Sequence, residues 1–307
     1  MYLVVPPSEL KNIVFDATTQ RLFVAERDNN AVRIYDASTM SEIGYVTVGL
    51  RPFGMATLNG RVYAANFNSD SISVIDAATL SVVKTIALNS CSGQPTHIAA
   101  NPSTNKLYVA LKRDSRVAAI NGATDTLGTC INGVGGGAFG IATNPALNRI
   151  YVTGRDSFDL RVIDGATDTQ IESQRQAFEG SPYQVAVDPT NNRVYLAVSA
   201  NVPDFDSVTR FYVYDADAGN LTPVGGSPFT INNNHDGGGI AASPCSGKIY
   251  IAETDNDTVR VLNSNLSVNA ILNQGANAEP YGIAFGANKV FITNRNAATI
   301  SAQIECP

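Results

Sequence analysis

Apolar residues along this chain come in short runs broken by clusters of Asn, Asp, Gly, Pro and Ser, with no helical spacing between them. Many runs alternate over most of their length, as in Ser71-Ile-Ser-Val-Ile-Asp76 and Leu160-Arg-Val-Ile-Asp164. That period of two, rich in β-branched residues, predicts strands with one face turned toward a core. The pattern also repeats. A basic residue, an aliphatic and an aromatic recur as Arg21-Leu-Phe23, Arg61-Val-Tyr63, Lys106-Leu-Tyr108, Arg149-Ile-Tyr151, Arg193-Val-Tyr195, Lys248-Ile-Tyr250 and Lys289-Val-Phe291. The aromatic anchors lie 40, 45, 43, 44, 55 and 41 residues apart.

Each copy has the same internal order. One apolar run precedes the anchor across an Asn/Pro/Gly turn, the anchor run follows, and a third run usually closes on Asp or Asn (Asp36, Asp76, Asn121, Asp164, Asp215, Asn263). Such short side chains bond their own backbone in tight turns. A fourth, less regular run completes the unit, as in Ser81–Ala87. Four strands every ~44 residues mark a propeller blade. The expected fold is therefore all-β, one seven-bladed β-propeller of four-stranded antiparallel blades over residues 1–307. The blades are expected near 7–49, 50–93, 94–137, 138–180, 181–234, 235–278, and 279–307 joined by 1–6. The last copy stops after its third strand near Ile304, while Tyr2-Leu-Val-Val5 is a lone apolar run ahead of the first. Placing that run as the outermost strand of the last blade closes the ring and removes an open sheet edge.

The second strands read Tyr151-Val-Thr-Gly154, Phe291-Ile-Thr-Asn294 and Tyr63-Ala-Ala-Asn66. Over nearly the whole chain this resembles the YVTN-repeat β-propellers of bacterial and archaeal secreted and surface-layer proteins, with relatives among lactonase-like seven-bladed propellers. The segment Gly219–Phe229 is similar to the lactonase-like branch. The resemblance implies the fold. It leaves function open, because one propeller frame carries many unrelated sites. The absence of tryptophan excludes propellers marked by a Trp-Asp dipeptide.

Composition narrows the classes further. With 44% apolar and 16% charged residues the chain has ample surface to bury, which excludes disorder. The net charge of −6 argues against nucleic acid as a partner. No apolar stretch is long enough for a membrane-spanning helix. Cys91, Cys130, Cys245 and Cys306 have no C-x-x-C spacing, so either two disulfides or four buried thiols fit, with three connectivities open for the former. Scarce Lys and abundant Asn, Thr, Ser and Gly favour an exported protein: extracellular, periplasmic or at the cell surface. No leader-type stretch precedes Tyr2, so the expectation is a chain whose leader has been removed; a monomer is expected.

A blade zigzags outward, so loops after its second and fourth strands share one face, here the upper. The seven repeat basic residues lie near the lower turns, where ties between turns are expected. The upper face varies more, as a binding face should. Candidate binding residues there are Glu26, Arg27, Arg51, His97, Lys112, Arg155, Tyr183, His235, Glu253, Tyr281 and Arg295. Glu26, Asn66, Glu253 and Asn294 end second strands in four consecutive blades; they brace the following turn or, alternatively, hold Ca²⁺ or another divalent metal. His97 is the candidate general base, against a hydrogen-bonded wall histidine. Blade five carries long upper loops, near Ser199–Ser207 and Thr230–Gly239.

No G-x-S-x-G or H-E-x-x-H occurs. The leading expectation is thus a non-catalytic scaffold whose upper funnel takes a protein, a glycan or a small acidic ligand, with no cofactor. The alternatives are a lactonase-like hydrolase or lyase with His97 as base and Arg27, Arg155 or Arg295 steadying an oxyanion, and a partner in a quinone-cofactor or electron-transfer system.

Overall fold

The computed structural model describes residues 2–200, 208–217, 220–233 and 238–306. Within them the chain forms seven antiparallel sheets, six of them built outward in sequence order. The innermost strands are Leu10–Asp16, Pro52–Leu58, Pro95–Asn101, Ala138–Asn144, Ser181–Asp188, Ile240–Ala242 and Pro280–Gly286. Each packs against the next, and Leu10–Asp16 packs back on Pro280–Gly286, so the sheets form a ring. Tyr2–Val4 pairs with Thr299–Ile304 as the outer strand of blade seven, with Leu3 opposite Ile300. The chain is a seven-bladed β-propeller.

Burial grades outward along each blade. Second strands such as Arg21–Glu26, Arg61–Asn66 and Lys106–Leu111 are buried beyond their first residue, because both faces meet neighbouring blades. The outer strand Ser81–Ala87 is exposed except at Ile86. In blade four the outer strand is broken into Thr169–Gln170 and Gln176–Ala177 by the 3-10 turn Glu172–Gln174. Blade five likewise splits into Asn220–Pro223 and Phe229–Asn233. Its upper loop 201–207 and residues 234–237 lie outside the described residues.

The repeat basic residues join blades on the lower face. Arg21 donates to the Ala77 carbonyl (2.7 Å), Arg61 pairs with Asp125 (2.7 Å) and Lys106 with Asp168 (2.8 Å). Arg193 reaches the Ser264 carbonyl (2.8 Å), Lys248 meets Glu305 (3.5 Å) and Lys289 the Ser38 carbonyl (2.7 Å). Each of these partners sits on the next blade. Arg149 differs, pairing with Asp164 of its own blade (2.9 Å). Two disulfides also join neighbours: Cys91–Cys130 links blades two and three, and Cys245–Cys306 links blade six to the tail after blade seven.

A cation-lined, aromatic-floored funnel

The funnel is a product of β-bulges. In six blades the pairing of the innermost strand with the second slips at its start, between Leu10/Ile13, Pro52/Met55, Pro95/Ile98, Ala138/Ile141, Pro182/Val185 and Pro280/Ile283. Two residues per blade are thereby freed from the ladder and re-aimed. They are Lys11-Asn12, Phe53-Gly54, Thr96-His97, Phe139-Gly140, Tyr183-Gln184 and Tyr281-Gly282.

A second ring stands above the first, one residue past the second strands. Its backbone is pinned by a repeated bond. The N–H groups of Arg27, Phe67, Lys112, Arg155 and Arg295 donate to the carbonyls of Glu9, Arg51, Gln94, Gly137 and Glu279, at 2.9–3.2 Å. The preceding blade holds the same turn from outside. Asn30, Asp70, Ser115 and Asp257 accept from the N–H groups of Arg51, Gln94, Gly137 and Glu279.

The two rings enclose a cavity of about 230 Å³ lined by Lys11, Arg27, Phe53, Phe67, Lys112, Phe139, Arg155, Tyr183, Tyr281 and Arg295. Its rings meet edge to face, Phe53 against Phe139 (5.9 Å) and Tyr281 (6.0 Å), and Phe139 against Tyr183 (6.0 Å). Cations lie over them: Lys11 over Tyr281 (4.6 Å) and Arg155 over Tyr183 (4.4 Å), whose hydroxyl Arg155 also contacts (2.8 Å). Such contacts hold charge against rings without neutralising it.

Charge compensation is uneven around the funnel. Glu9 pairs with Lys11 (2.5 Å) and Arg27, and Glu279 with Arg295 (2.6 Å). Burial works to raise the Glu9 carboxyl, but Lys11 and Arg27 outweigh it and hold it below the usual range. Burial lowers the Lys11 ammonium, which Glu9 only partly restores, with Arg295 and Arg27 lowering it further. Across the funnel, neither Lys112 nor Arg155 has a carboxylate partner among the described residues.

Of the candidates named from sequence, Arg27, Lys112, Arg155, Tyr183, Tyr281 and Arg295 come together on this cavity. Arg51 is exposed and outside the lining. His235 lies outside the described residues. His97 sits beneath the rings, 4% exposed, edge-on to Phe53 (5.1 Å) and Phe139 (5.0 Å). Its Nδ1–H donates to the Phe139 carbonyl (3.0 Å) and its Nε2 accepts from the Gln184 amide. Burial pushes the imidazole down to about 4, so it is neutral at pH 7. Lys11 was missed in the sequence. Aligning the bulge positions finds it, a cation where other blades place Phe, Tyr or Thr.

Glu26, Asn66, Glu253 and Asn294 lie in the blade walls and do not line the funnel. Each binds the third strand of its own blade: Glu26 to Arg33 (2.5 Å), Asn66 to Ser73 (2.9 Å), Glu253 to Arg260 (2.7 Å) and Asn294 to Thr299 (2.9 Å). A divalent cation at either glutamate would have to displace a buried guanidinium. Among the described residues no three His, Cys, Asp or Glu side chains cluster as metal ligands.

No protein-family model matches the chain, and no curated protein matches it in sequence. Solved structures do match. A chain of Kuenenia stuttgartiensis hydrazine synthase superposes with a TM-score of 0.83 over 98% of this chain and 97% of that one. The two are 17% identical. Likeness at that level carries the propeller fold and nothing about chemistry.

Proposed function

We propose that this protein is an exported binding module whose upper funnel takes a small anionic ligand. The observation that carries the reading is the convergence of five cations, Lys11, Arg27, Lys112, Arg155 and Arg295, on one ring-lined cavity. Low-dielectric aromatic walls strengthen the field of those charges and draw anions in. The overall −6 does not oppose this, because seven of the 21 basic residues belong to the lower-face repeat position and the charges are unevenly placed. Export is supported by the two disulfides.

Binding is favoured over lactone hydrolysis by the state of His97. Its Nε2 lone pair is taken up by Gln184, and the ring is buried below the cavity. A general base needs that lone pair within reach of a substrate proton. The test is calorimetric titration of the purified chain with small carboxylates, sulfates and phosphates at low and high salt. Binding that weakens with salt and with Arg295→Gln is expected. Turnover of a lactone panel, abolished by His97→Asn in a folded variant, would replace this reading with the hydrolase.

A further inference from the structure

We infer that the blade three–four side of the funnel is a subsite for the acid group of a small, single-ring aromatic acid, a reading that rests on the funnel as the binding site. Four observations combine. First, the blade seven–one side is largely compensated: three cations there (Lys11, Arg27, Arg295) face the two carboxylates Glu9 and Glu279. Lys112 and Arg155 face none among the described residues, so a ligand's charge is drawn to them. Arg155 is held in place by the ring and hydroxyl of Tyr183, leaving its planar fork steady for a carboxylate.

Second, the walls beside that seat are Phe53, Phe67 and Phe139, with Phe53 and Phe67 at 6.1 Å. A flat ring placed among them gains edge and face contacts that a saturated chain does not. Third, the lining offers donors and ring faces and, apart from two tyrosine hydroxyls, no side-chain acceptor. A sugar needs acceptors for its many O–H groups and would leave them unpaired. Fourth, about 230 Å³ between the two rings is room for one aromatic ring and its acid group.

The experiment is calorimetric titration of the whole chain with benzoate, cyclohexanecarboxylate, benzyl alcohol and tricarballylate, an aliphatic tri-acid. Benzoate is expected to bind, and cyclohexanecarboxylate and benzyl alcohol at least fivefold more weakly. Lys112→Gln and Arg155→Gln should each weaken benzoate about tenfold, the effect of one charge-assisted hydrogen bond. Arg21→Gln, which removes the same charge from the opposite face, should change nothing. Lys112 has no side-chain partner among the described residues, so its variant keeps the test valid should Arg155→Gln unfold. Tricarballylate bound as tightly as benzoate, with the same dependence on Lys112, would overturn the aromatic acid and leave the funnel reading standing. No binding of these acids while sulfate or phosphate binds would overturn the aromatic acid alone, and no binding of any anion would overturn both.

Discussion

Tyr63 and Phe23 occupy the same place in neighbouring blades and differ by one hydroxyl, and the blade that each faces differs to match. Tyr63 donates to Asp125 (2.5 Å), Tyr108 to Asp168 (2.8 Å) and Tyr250 to Glu305. Phe23 packs in the cluster that Leu80 joins, and Phe291 in the cluster with Met40. Asp125, Asp168, Leu80 and Met40 are equivalent turn residues with positive φ. A buried hydroxyl needs an acceptor and a buried phenyl needs an apolar cover, so in these five blades the pair changes together. Tyr63→Phe alone is expected to cost about 1–2 kcal/mol in urea unfolding. Adding Asp125→Leu, which copies the Phe23/Leu80 pair, should recover part of it; purely additive losses would refute the matched-pair account. His97 gives a pH dependence at the same scale. Its folded value is depressed to about 4 from 6.5, so the unfolded chain binds the extra proton between those values. Stability from neutral His97 is complete above pH 6.5 and is lost as pH falls toward 4, a change of about 3 kcal/mol. His97→Asn should flatten that part of the stability profile.

At the scale of the element, the repeat letters acquire separate jobs. The threonine of the second strand joins blades: Thr153 donates to the Tyr183 carbonyl (2.6 Å) and Thr293 to the Lys11 carbonyl (2.8 Å). Both also accept from the bulge glycine of their own blade, Gly140 or Gly282 (2.8 Å). Those glycines are required by space, since a Cβ on Gly140 would lie 2.3 Å from the Tyr183 carbonyl oxygen. The polar residue that ends the strand joins its own second and third strands. Blade four reverses this device. Gly154 makes room for Asp159, which takes Arg161 (2.7 Å) and Arg175 (2.8 Å) from the third strand's side. Glu253→Gln is expected to destabilise by about 3 kcal/mol, because Arg260 would keep a buried charge without its counterion. A Glu253→Gln variant with unchanged denaturation midpoint would argue against that role.

Across the whole molecule, stability depends on joints between blades, since no blade covers both its faces alone. The disulfides close loops of 39 and 61 residues in separation, each contributing about 4 kcal/mol by loop entropy. Reduction should lower the melting temperature while leaving the sheet signal at 25 °C intact. Unchanged melting after verified reduction would show that the lower-face ties suffice. Closure by Tyr2–Val4 adds a third joint, since it pairs an edge that blade seven would otherwise expose.

The repeat alone determined the blade count, the strand order and the closing strand, because a period of 44 or so with alternating runs admits few other packings. Six of the residues it named on the upper face line the cavity. What it could not carry was which polar side chains point into the funnel. That depends on bulges, which shift register by one residue and leave no mark in composition, and on partners from other blades. Glu26 and Arg27 are adjacent in sequence, yet one is buried against Arg33 in the blade wall and the other lines the cavity. Lys11 lies in a strand, and the bulge turns it inward beside Glu9. Likewise His97 became a hydrogen-bonded wall residue only when Gln184, 87 positions away, was brought against it. Local pattern fixes elements because backbone pairing is periodic. Side-chain fate is decided by contacts between blades, which only the closed ring creates.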